Sequence, residues 1–352
     1  MLLTRTSGFV RGLSPLAMAL LAPNLAFGQP ITLSSARNEI NVGRFGRPGQ
    51  TSVLDAVALP QGRSALLLQS PMGVRVVIVS PQGDQIATSP DLPSTIGLRL
   101  PKAIAANETG RVYVLDQQGA VAWFDATRDN ELQLSGSRHL TLAAASDICA
   151  LRGRVFVLGV DNIWVPGPLI RAFSGVSDTI ASFGDQFGPR DALLQTTYNS
   201  GQLYCDSASG RVTVASRLLP EVRTYNGFTG DLLWTARLPN FRALEVDRPD
   251  PRSVKYRLPA DSIWEEVVGI FSPQPGVVAV QRGQRRGLES QGPSDPIKTD
   301  YFNGSRGTFK FSQSDLQGII RDAREGRLYM IMSRRIRGDV FAAVQYSLNG
   351  GR

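Results

Sequence analysis

Gly110-Arg111-Val112-Tyr113-Val114-Leu115 is the stretch on which the reading of this chain turns, because close copies of it recur. They stand at Gly62-Arg63-Ser64-Ala65-Leu66-Leu67, Gly153-Arg154-Val155-Phe156-Val157-Leu158, Gly210-Arg211-Val212-Thr213-Val214-Ala215, Gly276-Val277-Val278-Ala279-Val280 and Gly326-Arg327-Leu328-Tyr329-Met330-Ile331. From Gly62 to Gly326 the five intervals average about 53 residues, within reach of the roughly 40–50-residue period of β-propeller blades.

Around each copy the order is the same. A short apolar strand precedes it, such as Asp147 to Ala150 or Gln202 to Asp206. A third strand follows and often ends at an aromatic turn, such as Tyr225-Asn226-Gly227 or Phe302-Asn303-Gly304, and a fourth comes after, such as Leu232 to Leu238. Alternating apolar residues bounded by Gly, Asn, Asp and Pro are the strand signal, and no stretch from Gln29 to Arg352 sustains a 3.6-residue period. The last unit lacks a fourth strand, whereas the chain start has a surplus strand at residues 31–33 or 40–45. Pairing the two would close the ring and protect its edges. The expectation is an all-β, six-bladed β-propeller of four-stranded antiparallel blades, with seven blades as the competing count.

Composition fits a turn-rich globular chain: 42% hydrophobic and 19% charged residues, 35 Gly and 22 Pro in 352 residues. Arg5 and Arg11 precede an apolar run, and Ala26-Phe27-Gly28 offers a small-x-small site, so residues 1–28 read as a signal peptide and 29–352 as one propeller domain. The chain is thus expected to be exported, to the periplasm or beyond, as a monomer with no membrane span. Without Arg5 and Arg11 the net charge of +8 becomes about +6. That surplus speaks to solubility and to acidic partners, and no nucleic-acid module accompanies it.

In a propeller the second-to-third-strand turns and the connections between blades share one face. Residues 159–168, 247–265, 282–299 and 333–339 would open there. Their Trp164, Tyr256, Arg282, Arg285, Arg286, Arg334, Arg335 and Arg337 form a candidate binding set, since guanidinium groups hold carboxylates, phosphates and sulfates bidentately. The arginines following the repeat glycines, Arg63, Arg111, Arg154, Arg211 and Arg327, would ring the opposite face. One such residue per blade is what a structural role predicts.

His139 is the only histidine, so a Ser-His-Asp relay would hang on it alone and multi-imidazole metal sites are excluded. No phosphate-binding loop, nucleophile elbow or dinucleotide fingerprint stands in a suitable context. Cys149 and Cys205 fall on the first strands of consecutive units; they are either a disulfide, as export would favour, or two buried thiols packed as small hydrophobes.

The alternation of Gly turn, Arg-Val-Tyr-Val-Leu or Arg-Val-Phe-Val-Leu and an aromatic-turn strand, as in residues 222–234, resembles the NHL and TolB-like six-bladed propellers, in particular uncharacterised exported bacterial ones. That superfamily includes protein, peptide and carbohydrate binders as well as lactonases and esterases. The resemblance to its calcium-dependent hydrolases implies a channel metal on acidic side chains of the innermost strands, for which Asp55, Asp147 and Asp206 are the available residues. The reading favoured by the residues is a non-catalytic propeller without a cofactor, binding a protein, peptide or acidic glycan. The alternative is a calcium-dependent lactonase or esterase at the central channel.

Overall fold

The computed structural model describes residues 30–127, 131–162, 164–174, 181–188, 192–250, 253–288, 296–316, 318–334 and 338–348. They form six four-stranded antiparallel sheets arranged as the blades of a propeller, together with one separate hairpin. Blade 1 comprises Ser52–Ala58, Ser64–Ser70, Gly73–Val79 and Gln85–Thr88. Blade 2 comprises Pro101–Ala106, Val112–Asp116, Ala120–Ala126 and Leu132–His139. Blade 3 is built from Ala144–Leu151, Arg154–Val160, Ile170–Ser174 and Ala181–Phe183, and blade 4 from Gly201–Asp206, Arg211–Ser216, Glu221–Asn226 and Leu232–Arg237. Blade 5 holds Ile263–Phe271, Val277–Arg286, Pro296–Asn303 and Phe309–Gln313.

Blade 6 takes Ile319–Arg324, Arg327–Arg334 and Gly338–Leu348 from the end of the chain and its fourth strand, Ile31–Asn41, from the start. Ile31 lies opposite Leu348 and Asn41 opposite Val340, so the ring closes by pairing its two ends. The first strands of successive blades stand side by side around the axis, including the last against the first.

The repeated glycine has one physical origin. Gly62, Gly110, Gly153, Gly210, Gly276 and Gly326 all have φ between 70° and 89°, the left-handed turn conformation that side chains resist. The apolar alternation has another. Each adjacent pair of blades shares its own hydrophobic cluster. Leu67, Val76, Val114 and Phe124 fill the joint of blades 1 and 2, and Leu115, Tyr113, Val157 and Phe173 that of blades 2 and 3. Leu158, Phe156, Val214 and Tyr225 fill the next; Trp234, Val222, Val280 and Phe302 the one after. Tyr301, Ala279, Leu328 and Met330 join blades 5 and 6, and Tyr329, Phe341, Leu66 and Val77 join 6 to 1. Each fully buried large apolar side chain contributes about 1.5–3 kcal/mol, so stability is spread evenly around the ring.

Two local features differ from expectation. A short helix, Ala192–Tyr198, interrupts the connection from blade 3 to blade 4 and inserts Leu194 and Tyr198 into the cluster between those blades. Seven residues are too few to show a helical period. The blade 4 to 5 connection carries a hairpin, Glu245–Asp250 with Ser253–Arg257, whose Val246 and Val254 pack on the same cluster.

The repeat arginines stitch blades together on the face opposite the long connections. Arg154 donates to the Phe228 carbonyl oxygen at 3.0 Å in the next blade, and Arg211 to Gly304 O at 2.7 Å in the one after. Arg111 stays within its blade, paired with Asp125 by two bonds of 2.8 Å. The residues of the expected signal peptide, 1–28, lie outside the described part.

Candidate ligand site at the channel mouth

The hub of the ring is held by carboxylates placed at β-bulges. Asp55 follows a register shift in blade 1; its Oδ1 accepts the N–H of Ala56 and its Oδ2 that of Ile104 in blade 2, both at 2.9 Å. Asp147 repeats the arrangement with Ile148 and, across to blade 4, Leu203 at 2.6 Å. Asp322 repeats it again with Ala323 and, across to blade 1, Ala58 at 3.2 Å. The bulge pushes one residue out of the ladder, and the short Asp side chain turns back to take up a freed N–H. In blade 5 the residue after the register shift is Gly269, and Gln281 opposite it does the work: its Oε1 accepts the N–H of Ile320 at 2.7 Å and its amide nitrogen donates to Gly318 O.

Cys149 and Cys205 are joined in a disulfide, with Cα atoms 5.6 Å apart. Two neighbouring innermost strands therefore come within bridging distance.

Above these contacts the channel opens on the face of the long connections. The narrow channel encloses about 90 Å³. Its mouth widens over blades 1 to 3 into a cavity of about 430 Å³. Arg99 and Lys102 enter from the start of blade 2 and Arg321 from blade 6, while Gln69, Gln117, Ser146 and Gln202 supply amides and a hydroxyl. Leu54, Val74, Leu100 and Pro101 form an apolar wall, and Asp55 and Asp147 lie toward the floor.

Arg321 spans the hub. It donates to Gln202 Oε1 at 2.9 Å in blade 4 and to Val268 O at 3.3 Å in blade 5, and its Nε lies 3.3 Å from Asp55. Burial raises the Asp55 carboxyl above its usual range against the pull of Arg321. Burial, and then the charge of Asp55, push Asp147 up to about 7, against its two backbone N–H donors. Lys102 protrudes into the mouth but is walled in by protein, which lowers its pKa despite the attraction of Asp147.

The residues expected to bind fall into three groups. Trp164 is exposed, at 71%, in its loop, and Tyr256, at 42%, on the second strand of the blade 4 to 5 hairpin. Arg282 and Arg285 are not in an irregular insert: the second strand of blade 5 continues through Arg286, leaving only residues 287–295 as connection. Arg282 is 1% exposed and sits between Glu265 at 2.6 Å and Asp300 at 2.8 Å; Arg285 is 7% exposed and donates to Glu266 at 2.7 Å. Glu266 is also held by Arg217 at 2.6 Å, so this cluster ties blade 4 to blade 5. Their charge is spent on cross-strand acids, which removes both from the binding set, whereas Arg286 beside them is exposed. Arg335, Arg337 and the side chain of Arg334 lie outside the described residues.

Asp206 stands away from Asp55 and Asp147. It is at the far end of its strand, where it caps the turn through Ser209 Oγ at 2.5 Å and Ala208 N at 3.0 Å. The three acids assembled by the resemblance therefore do not converge. Among the described residues no cluster of three or more His, Cys, Asp or Glu has the spacing of a metal site. His139 ends the outer strand of blade 2, exposed.

Comparison with known proteins bears on the fold alone. No family model and no curated protein sequence matches the chain. Among solved structures, a member of the DUF4221 family from Bacteroides vulgatus superposes with a TM-score of 0.57 at 8% identity, covering 91% of this chain and 99% of that one. A catalytically inactive variant of virginiamycin B lyase from Staphylococcus aureus, solved with quinupristin, gives 0.51 at 9% identity over 90% and 99%. A protein of unknown function from Bacteroides thetaiotaomicron gives 0.50 at 10% over 90% and 76%. These likenesses agree with the six-bladed propeller that the repeats predict, and at such identities they carry no activity across.

Proposed function

We propose that this chain is an exported, non-catalytic propeller that binds a protein, peptide or acidic glycan through the face bearing the channel mouth and the long connections. The observation that carries this reading is the concentration of irregular, exposed structure there. Trp164 and Val165, the hairpin with Tyr256, and Leu288 all rise from connections of that face, around a rigid ring. Loops on a stiff scaffold are where binding residues collect. Export accords with the disulfide, which persists in oxidising compartments, and no described helix is long and apolar enough to cross a membrane.

A calcium-dependent hydrolase finds no support in the carboxylates. Asp55 and Asp147 already accept two backbone N–H groups each, and Asp206 is elsewhere. The binding reading includes no cofactor, so chelator and calcium should leave the unfolding temperature unchanged.

Photo-crosslinking residues placed at 164, 256 and, as a control on the opposite face, 229 test the reading in the producing cell. Adducts from 164 or 256 but not from 229 are expected. Adducts from 229 alone would overturn it.

A further inference from the structure

We propose that the cavity at the channel mouth is a binding site for a sugar acid, a small hydroxylated ligand carrying one carboxylate, held by Arg99, Lys102 and Arg321. This deepens, and rests on, the reading of this face as the binding face.

Charge comes first. Three cations, Arg99, Lys102 and Arg321, face two carboxylates, Asp55 and Asp147, around one cavity. The nearby Arg217 is already paired with Glu266. The surplus is at least one positive charge, so the cavity suits an anionic ligand. The cations are also unequally engaged. Arg321 is committed on two sides, to Asp55 and to Gln202. Among the described residues Lys102 reaches only the carbonyl oxygen of Ala145, at 3.5 Å, the outer limit of a hydrogen bond. Arg99 is exposed and makes no hydrogen bond or ion pair among the described residues. An ammonium and a guanidinium on one rim, each with donors to spare, are an arrangement for a carboxylate.

The rest of the wall suits the body of the ligand. Gln69, Gln117, Gln202 and Ser146 present amides and a hydroxyl, the partners of ligand hydroxyl groups. Leu54, Leu100 and Pro101 give an apolar surface for the C–H side of a sugar ring. A cavity of about 430 Å³ lies within the size range of small-molecule sites, with convergent polar groups on a partly apolar lining. Arg321 is held in place by Asp55 and Gln202 before the ligand arrives, which lowers the ordering cost of binding at that side of the cavity.

Calorimetric titration of the mature protein with D-glucuronate and D-galacturonate, beside D-glucose, succinate and inorganic phosphate, tests this. At least one uronate should bind, with at least tenfold preference over glucose and over phosphate, and Lys102→Gln and Arg99→Gln should each weaken it about tenfold or more. Both substitutions are at exposed positions; retention of the unfolding temperature verifies the fold, and Arg306→Gln, at an exposed turn of the opposite face, serves as a charge-matched control that should bind as wild type does. Three outcomes would overturn the proposal: no uronate binding at millimolar concentration, equal binding of glucose, or binding of phosphate or succinate as tight as that of the uronates. If uronate binding fails while crosslinks still form from 164 or 256, the sugar-acid site falls and the binding face stands.

Discussion

Asp147 accepts the backbone N–H of Leu203 at 2.6 Å, and two residues further along the same two strands Cys149 is bonded to Cys205. Blades 3 and 4 are thus fastened twice at the hub, once by a buried hydrogen bond and once covalently, just below the cavity. The disulfide closes a loop of 56 residues in sequence, a length at which cross-linking stabilises by about 2–4 kcal/mol. Cys149→Ser with Cys205→Ser should lower the denaturation free energy by that order in urea. Reductant should reproduce the loss in wild type and do nothing to the double variant.

The same carboxylate predicts an unusual pH dependence. Asp147 keeps its proton to about pH 7 in the folded chain, against an ordinary value of 3.8. Between those values the folded state binds more protons than the unfolded one, so stability is present at low pH and is lost as pH rises through about 7. Asp55 and Asp322, also raised by burial, act in the same direction. The urea midpoint should therefore fall between pH 5 and pH 8, and Asp147→Asn should flatten that fall. A steeper fall in the variant would contradict the assignment.

Gln281, opposite Gly269, stands in for the aspartate that blades 1, 3 and 6 use at the hub. A Cβ on Gly269 would lie 2.7 Å from Ile320 O and 3.2 Å from the Gln281 side chain. Gly269→Ala should accordingly destabilise although the backbone there is unstrained. Gln281→Ala strands the buried N–H of Ile320, at a cost of about 1–3 kcal/mol. Thermal and chemical unfolding of the two variants, beside wild type, reads both effects.

The arginines of blade 5 separate buried from free charge. Glu266→Gln removes the negative charge that both Arg217 and Arg285 pair with, and breaking a buried ion pair from one side typically costs about 3–5 kcal/mol. Arg286→Ala, next in sequence and exposed, should change stability by about 0.5 kcal/mol or less. Comparable losses in the two variants would show that the buried network is not holding the blades.

The ring was legible in the sequence because its signals are local. A left-handed Gly at each first turn, period-two apolar strands and a missing last strand together give the blade count and the closure at Ile31–Asn41. What escaped depends on pairing between distant segments. Arg282 and Arg285 look like loop charge until Glu265, Glu266 and Asp300 are set opposite them. Asp322 was hidden by hairpin length. It precedes its glycine by four residues where Asp147 precedes Gly153 by six, so counting back from the glycine aligns Ile320 in its place. The channel mouth collects Gln69, Arg99, Lys102, Ser146, Gln202 and Arg321 from five blades, and no sequence window contains it.

Hydrogen-exchange mass spectrometry of the purified protein with and without D-glucuronate bears most directly on the claim that the channel mouth is where this propeller binds. Added protection should be confined to peptides containing Arg99 to Ala103, Gln117, Ser146 to Asp147 and Gln202, with the opposite-face turns near Gly153 and Gly227 unchanged. Protection at those turns instead, or none at a ligand concentration that saturates the calorimetric signal, would contradict it.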